Sequence, residues 1–119
     1  MLLVRLMIAV FLVLVPDLAV AASSSRSTVA SWYGAKWNGR PTASGEPFNH
    51  RRFTAASRYL PMGTRIEVTH GNRRVVVKVN DRGPYIRGRG LDLSEAAARS
   101  LGIREAGVAR VRYRVVSRR

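Results

Sequence analysis

Alternating apolar and polar residues in the middle of the chain predict a β-hairpin. Residues 65–69 alternate, residues 73–79 are rich in β-branched side chains, and the His-Gly-Asn triplet at 70–72 is a typical turn sequence. Residues 111–115 alternate between apolar side chains and arginine, which predicts another strand with one apolar and one cationic face. A short aromatic run at 29–33 predicts an earlier strand.

One helix is predicted, because start and stop signals follow one another along an alanine-rich stretch. Ser94 is a suitable N-cap, Glu95 lies in the first turn, and Gly102 fits the position just after the last turn. Long loops rich in glycine and proline are predicted at 34–49 and 81–90. Short strands, long loops and a single helix favour a mainly β fold, namely a small closed barrel.

The N-terminal residues 1–21 have the composition of a secretory signal peptide. Arg5 precedes an apolar run at 6–15, and the small triplet Ala-Val-Ala follows at 19–21. The apolar run is too short to cross a membrane as a helix, which takes about 20 residues. We therefore expect cleavage after Ala21 and export to the periplasm or the medium.

The rest of the chain divides into a leader, one domain and a short tail. Residues 22–28 are polar and rich in serine, which predicts a disordered leader. The composition is globular over residues 29–116, so we expect one domain without a second linker. Residues 117–119 are predicted to form a basic tail.

The protein is strongly basic, with 21 lysines and arginines against 7 acidic residues and a formal net charge of +14. Such a surface attracts polyanions, and export favours anionic envelope polymers over nucleic acid. The chain has no cysteine, which excludes thiol catalysis and cysteine-ligated zinc. His50 and His70 are the only histidines and are too few and too separated in sequence to suggest a metal site. We expect no lipid anchor, no cofactor, no metal and a monomer.

Acidic residues are scarce, so each one is informative about chemistry. Asp81 follows the apolar run that ends at residue 79; a carboxylate there is held at the mouth of a barrel, and an aspartate that opens a turn explains the position equally well. Glu46 lies in a polar loop, and Asp92 lies between two leucines before the helix, where it also fits a simple helix-entry acid. Three such carboxylates meeting at one barrel end would exceed the two acids that most glycosidases need.

Three further acids have simpler explanations. Glu67 lies in a predicted strand with basic neighbours, which favours a surface ion pair of small energetic value. Glu95 is accounted for by the N-terminus of the predicted helix. Glu105 lies in a connection with no neighbours that suggest a site.

Five short blocks in a fixed order resemble the rare lipoprotein A family. They are found at residues 30–34 (ASWYG), 39–46 (GRPTASGE), 54–64 (TAAS and LPMGT), 79–85 (VNDRGPY) and 91–94 (LDLS). The similarity extends from about residue 29 to residue 116. It implies a six-stranded double-psi β-barrel with one or two short helices, the fold also found in expansins.

The resemblance implies an endolytic peptidoglycan lytic transglycosylase, which cleaves the β-1,4 bond between MurNAc and GlcNAc and leaves a 1,6-anhydro end. One carboxylic acid suffices, because it protonates the leaving oxygen and then accepts the proton of the sugar 6-hydroxyl. On this basis Asp81 is the predicted acid/base, Glu46 its electrostatic partner and Asp92 a further catalytic candidate. The predicted substrate-binding residues are Tyr33, Thr42, Ser44, Asn49, Ser57, Arg82 and Tyr85.

Two positions depart from the family pattern and keep a second function open. Many members have aspartate where this chain has Asn49, and histidine where it has Ser57. The alternative is a non-catalytic, expansin-like module that binds peptidoglycan glycan strands through its basic surface. A nucleic-acid-binding barrel is a weaker hypothesis, because it explains only the charge.

Overall fold

Six strands and one helix account for most of the regular structure within residues 24–118. The structure, a computed structural model, describes residues 24–118, so the predicted signal peptide at 1–21 lies outside the described residues. No helix within 24–118 is long and apolar enough to cross a membrane. The elements are β1 (Arg26–Tyr33), β2 (Thr54–Ala56), β3 (Arg65–His70), β4 (Arg73–Asp81), β5 (Arg89–Ser94), α1 (Glu95–Leu101) and β6 (Val108–Ser117), with a single 3₁₀ turn at Ala35–Trp37.

The strands close into a barrel in the order β1-β5-β2-β4-β3-β6, with β6 pairing back to β1. Two of the pairings, β1 with β5 and β2 with β4, are parallel, and the others are antiparallel. Parallel neighbours require long connections, which explains the long loops between short strands. The predicted six-stranded double-psi β-barrel is confirmed.

Alternation along the strands builds the core. In β3, Ile66 and Val68 point inward and are buried, whereas Arg65 at the start of the strand is exposed. The same period of two places apolar side chains of β4 and β5 in the barrel. The interior is filled by fully buried side chains from the strands, α1 and the connection after it: Ile66, Val68, Val77, Val79, Leu91, Leu93, Leu101, Ile103 and Val111.

The predicted hairpin and helix are both confirmed. Strands β3 and β4 pair antiparallel around the turn at 71–72, where Gly71 takes a positive φ of 62°. Ser94 caps α1 by accepting a hydrogen bond from the Ala97 amide at 3.3 Å. Gly102 ends the helix in the left-handed conformation, which glycine adopts without a steric penalty.

Three predicted boundaries were wrong. Strand β1 begins at Arg26, so residues 26–28 of the predicted leader belong to the barrel, where Arg26 pairs with Tyr113 of β6. The ladder formed with β6 outweighs the polar composition of this segment. Ser117 ends β6 and is therefore not part of the predicted tail. The loop predicted at 81–90 is shorter, because β4 continues through Asp81 and β5 begins at Arg89.

Candidate active site

The loop at 42–46 packs against the end of β4 and brings several predicted site residues together. The Ser44 amide donates to the Asn80 carbonyl at 3.1 Å. Inside the loop, the Thr42 hydroxyl lies 2.9 Å from the Ser44 hydroxyl and donates to the Glu46 carbonyl at 2.7 Å. Thr42 and Ser44 therefore hold the loop that carries Glu46 in one conformation.

Asp81 is the last residue of β4 and is half-buried at this end of the barrel. Its Oδ1 accepts two backbone hydrogen bonds at 2.9 Å, from the amides of Ala43 and Arg82. No lysine, arginine or histidine in residues 24–118 forms an ion pair with this carboxylate. The backbone thus fixes the group through one oxygen, without a neutralising cation.

Tyr33 and Asp92 come from the parallel pair β1 and β5 and face the same region. Asp92 accepts a hydrogen bond from the Ser31 hydroxyl at 3.0 Å, and its burial raises the pKa of the carboxyl group. Burial, followed by the charges of Asp81 and Asp92, raises the pKa of Tyr33. The Tyr33 hydroxyl is buried and has no hydrogen-bond partner among the described residues, while its ring stacks on Phe48 at a centroid distance of 4.3 Å. We call Asp81 and Asp92 together the Asp81 centre.

Glu46 differs from these aspartates because it is held as an anion. Lys78 Nζ lies 3.1 Å from its Oε1, and Asn80 Nδ2 donates to the same oxygen at 3.2 Å. These hydrogen bonds, first that of Lys78, lower the pKa of Glu46. The arrangement suits a fixed negative charge and not a proton donor.

Arg82 and Ser57 support the site through backbone contacts. Arg82 Nη1 donates to the carbonyls of Ser57 at 2.9 Å and Leu60 at 2.8 Å. The Ser57 amide donates to the Asp81 carbonyl at 3.1 Å, and its hydroxyl accepts from the amides of Tyr59 and Leu60. The Ser57 side chain therefore serves a turn beside Asp81.

Asn49 and Tyr85 are the most peripheral of the predicted residues. The Asn49 side-chain oxygen accepts from the Arg51 amide at 2.9 Å, so it also serves a local turn. Tyr85 lies in the loop after Asp81 with 76% of its surface exposed. Both side chains are exposed at the rim of the site.

Sequence analysis missed a cluster of charged side chains around Glu95. Buried Glu95 lies 2.6 Å from His50 Nδ1, 2.8 Å from Arg104 Nε and 3.4 Å from Arg99 Nη2. The hydrogen bond from Arg104, and then that from His50, lower the pKa of Glu95 to about 2. The spacing of Glu95 and Arg99 on a helix was a signal for that one pair. Nothing in the sequence points to His50. We call these four residues the Glu95 centre.

A groove of about 920 Å³ lies beside the site and is lined by Glu46 and Asn80 together with Phe53 and Arg65. Asp81 itself is not among the lining residues, although the 42–46 loop that carries Glu46 contacts it through the Ala43 amide at 2.9 Å. Within residues 24–118, no three histidine or acidic side chains are grouped so that they would hold a metal ion.

The closed six-stranded barrel, with Asp81 at the end of β4, places the chain in the class of double-psi β-barrel proteins. Residues 25–113 match the family model described as lytic transglycolase. The match covers most of the chain, so the protein belongs to this family and has the barrel of the rare lipoprotein A group.

Individual relatives agree with this placement. The chain is 59% identical over 81 residues to the probable endolytic peptidoglycan transglycosylase RlpA of Aquifex aeolicus, covering 66% of this chain and 36% of the relative. It is 44% identical over 98 residues to the endolytic peptidoglycan transglycosylase RlpA of Pasteurella multocida, covering 81% and 33%. The chain thus spans about a third of the length of these curated relatives.

Solved structures agree on the fold. The apo form of a Clavibacter michiganensis expansin matches with a TM-score of 0.64 and 27% identity, over 78% of this chain and 50% of that one. A Streptomyces papain inhibitor matches with a TM-score of 0.65 at 22% identity, over 78% of this chain and 94% of that one, which supports the fold alone.

Proposed function

We propose that the barrel is the catalytic unit of an endolytic peptidoglycan lytic transglycosylase that acts on glycan strands outside the cytoplasm. One observation carries the proposal: Asp81 is fixed by two backbone amides at a barrel end and has no cationic partner in the described chain. The relatives named as endolytic peptidoglycan transglycosylases support the substrate and the location.

In the proposed reaction, protonated Asp81 donates its proton to the glycosidic oxygen as the bond from that oxygen to C1 of MurNAc breaks. The resulting Asp81 carboxylate then accepts the proton of the MurNAc 6-hydroxyl, whose oxygen bonds to C1 and closes the 1,6-anhydro ring. The acid is regenerated, and no water is consumed. Only one residue has to carry a proton in this reaction. Asp81 suits that role, because it contacts the 42–46 loop and forms no ion pair within residues 24–118 that would hold it ionised.

Glu46 is proposed to stabilise the positive charge that develops on the sugar ring. Lys78 and Asn80 keep it ionised, and a fixed anion near the oxocarbenium-like transition state lowers the barrier. Asp92, whose pKa is raised by burial, is proposed as a further catalytic carboxyl group beside Asp81. Tyr85 and Asn49 at the rim are proposed substrate contacts.

A second candidate function is peptidoglycan binding without cleavage, as in the expansin-like hypothesis. The observation that favours it is the loss of titratable groups at two site positions. Ser57 and Asn49 both use their side-chain oxygens in local turns and offer no proton to a substrate. Under this hypothesis the barrel retains affinity for the wall and forms no anhydro product.

The two functions are separated by digesting purified sacculi with residues 22–119 and reading the soluble products by mass spectrometry. The Asp81→Asn variant is run beside Glu105→Gln, whose carboxylate is 91% exposed and paired with Arg104. We expect anhydro-muropeptides from the wild type and the control, and none from Asp81→Asn. Sacculus binding without any product would establish the second function. Undiminished product from Asp81→Asn would assign the acid to another residue.

A further inference from the structure

The groove beside the site carries far more positive than negative charge. Four of its lining side chains are cationic, and Glu46 is its only carboxylate: the cations are Arg51, Arg52, Arg65 and Lys78. Lys78 is paired with Glu46. The other three form no ion pair with an acidic residue within 24–118. We call this surface the basic groove.

The backbone that carries two of these arginines is held rigidly. The His50 amide donates to Asn38 Oδ1 at 2.8 Å, and its carbonyl accepts from the Ala96 amide at 3.0 Å. The Arg52 carbonyl accepts from the Ser94 hydroxyl at 2.6 Å. The turn is therefore fixed to the start of α1, and a ligand that meets Arg51 and Arg52 loses little binding free energy in ordering it.

An aromatic ring completes the basic groove. Phe53 is 49% exposed, although it directly precedes a buried strand. Its carbonyl accepts from the Lys78 amide at 3.1 Å, so the position of its backbone is set by β4. An exposed ring beside guanidinium groups offers apolar contact together with charge recognition, which suits an amphipathic ligand such as an acid-bearing sugar.

We propose that the basic groove binds a carboxylate group carried by a MurNAc residue of the glycan strand, at a subsite next to the cleaved bond. This inference rests on the proposed function. Glu46 lines the groove and belongs to the 42–46 loop that contacts Asp81, so a strand bound in the groove has to pass only this loop to reach Asp81. MurNAc alone bears carboxylates in such a strand, either on its free lactyl group or on an attached stem peptide. Guanidinium groups bind carboxylates through paired hydrogen bonds.

The experiment measures binding by the Asp81→Asn protein, which leaves the glycan intact. Three ligands are compared by calorimetry: a GlcNAc hexamer without carboxylates, strands stripped of peptides, and peptide-bearing strands. We expect carboxylate-bearing strands to bind about tenfold more tightly than the hexamer at low salt. This difference in affinity, which we call the gap, should close as salt is added. Tightening by the stripped strands alone identifies the lactyl carboxylate, which is an amide in peptide-bearing strands. Tightening by the peptide-bearing strands alone identifies the stem peptide, and equal tightening shows that the groove accepts either carboxylate.

A triple variant tests the groove itself. Adding Arg51→Gln, Arg52→Gln and Arg65→Gln should abolish the gap and leave hexamer affinity unchanged. The matched control removes the same charge outside the groove, through Arg74→Gln in β4 and Arg110→Gln and Arg112→Gln in β6. A gap that is absent from the start, or that the control abolishes equally, would overturn the proposal. So would tighter, groove-dependent binding of duplex DNA or phosphatidylglycerol vesicles.

Failure of this inference can be told apart from failure of the proposed function. If the wild-type protein releases anhydro-muropeptides but shows no gap, the proposed function stands and the proposed role of the groove is wrong. If the protein shows the gap but releases no product, the groove is a wall-binding site and the proposed enzymatic function is wrong.

Discussion

The Asp81 centre and the Glu95 centre use the same chemical group in opposite ways. Glu95 is enclosed by three basic side chains, whereas Asp81 is held by two backbone amides and Asp92 by a serine hydroxyl. Across residues 24–118 each glutamate has an ion-pair partner, and neither aspartate has one. In a chain so rich in arginine, an unpaired carboxylate is the exception. The contrast supports the proposed division of roles, with Asp81 as the acid and Glu95 as a residue that stabilises the fold.

The largest expected effect is on catalysis. Asp81→Asn removes the proton carrier but keeps an oxygen that accepts the two backbone amides, so anhydro-product formation should fall about a thousandfold with little change in Tm. Glu95→Gln should leave that rate unchanged at temperatures where the variant is folded. Mass spectrometry of released muropeptides gives the rate of each variant, and thermal melts give its Tm. Equal loss of activity in both variants would remove the distinction between the two centres.

A smaller catalytic effect is expected at Glu46. Glu46→Gln keeps an oxygen for Lys78 and Asn80 but loses the charge, so the rate should fall about a hundredfold, as for removal of one electrostatic stabiliser. Glu67→Gln is the control, because Glu67 is also ion-paired, with Arg114 at 3.1 Å, but lies away from the 42–46 loop. A Glu46→Gln rate equal to that of Asp81→Asn would mean that Glu46 itself transfers the proton.

Stability at low pH should separate the Glu95 centre from exposed ion pairs. The folded pKa of Glu95 is about 2, below the ordinary glutamate value of 4.5. Its stabilisation is therefore complete above pH 4.5 and is lost as the pH falls toward 2. Denaturant unfolding at several pH values should show the wild type losing its advantage over Glu95→Gln across this window. Glu105→Gln, which affects a 91% exposed carboxylate, should show no such trend. If the wild type were more stable than Glu95→Gln by the same amount at every pH, packing and not charge would explain the stabilisation by Glu95.

The smallest expected effect has the opposite sign. Burial raises the folded pKa of Asp92 above 3.8, so the folded state holds its proton more tightly than the unfolded chain. The contribution of Asp92 to the free energy of unfolding is therefore complete below pH 3.8 and is lost as the pH rises through the folded pKa of this group. Asp92→Asn, which keeps an acceptor for Ser31, should raise the Tm at pH 7 and have no effect below pH 3.8. A lower Tm at pH 7 would show that the ionised group is stabilised in the fold.

Local sequence signals predicted the local structure well. The His-Gly-Asn turn and the strand alternation around it specified the β3–β4 hairpin, and the Ser94 cap specified α1, since each depends on neighbouring residues. Strands β2 and β5 had no such signal. β2 is only Thr-Ala-Ala, and both strands exist because distant strands pair with them. Local propensity is overridden there by tertiary pairing.

The site could be predicted only in part for the same reason. Position along the chain and the scarcity of acidic residues single out Asp81, Glu46 and Asp92 from the sequence alone. The contacts that distinguish Asp81 from Glu95 were not predictable, because they join residues that are distant in sequence. The Ala43 amide and Asp81 are 38 positions apart, and His50 and Glu95 are 45 positions apart. The aromatic character of Phe53 favours a core position, yet its side chain is half exposed, because the groove opens beside it.

The pairing of β1 with both β5 and β6 also determines when the proposed site forms. Folds dominated by pairing between distant segments form slowly, on the order of milliseconds to seconds. The acid, the amide that holds it and the buried tyrosine come from separate stretches that meet only when the barrel closes. In a chain that has not yet folded, Asp81 therefore lacks the contacts that define the proposed site.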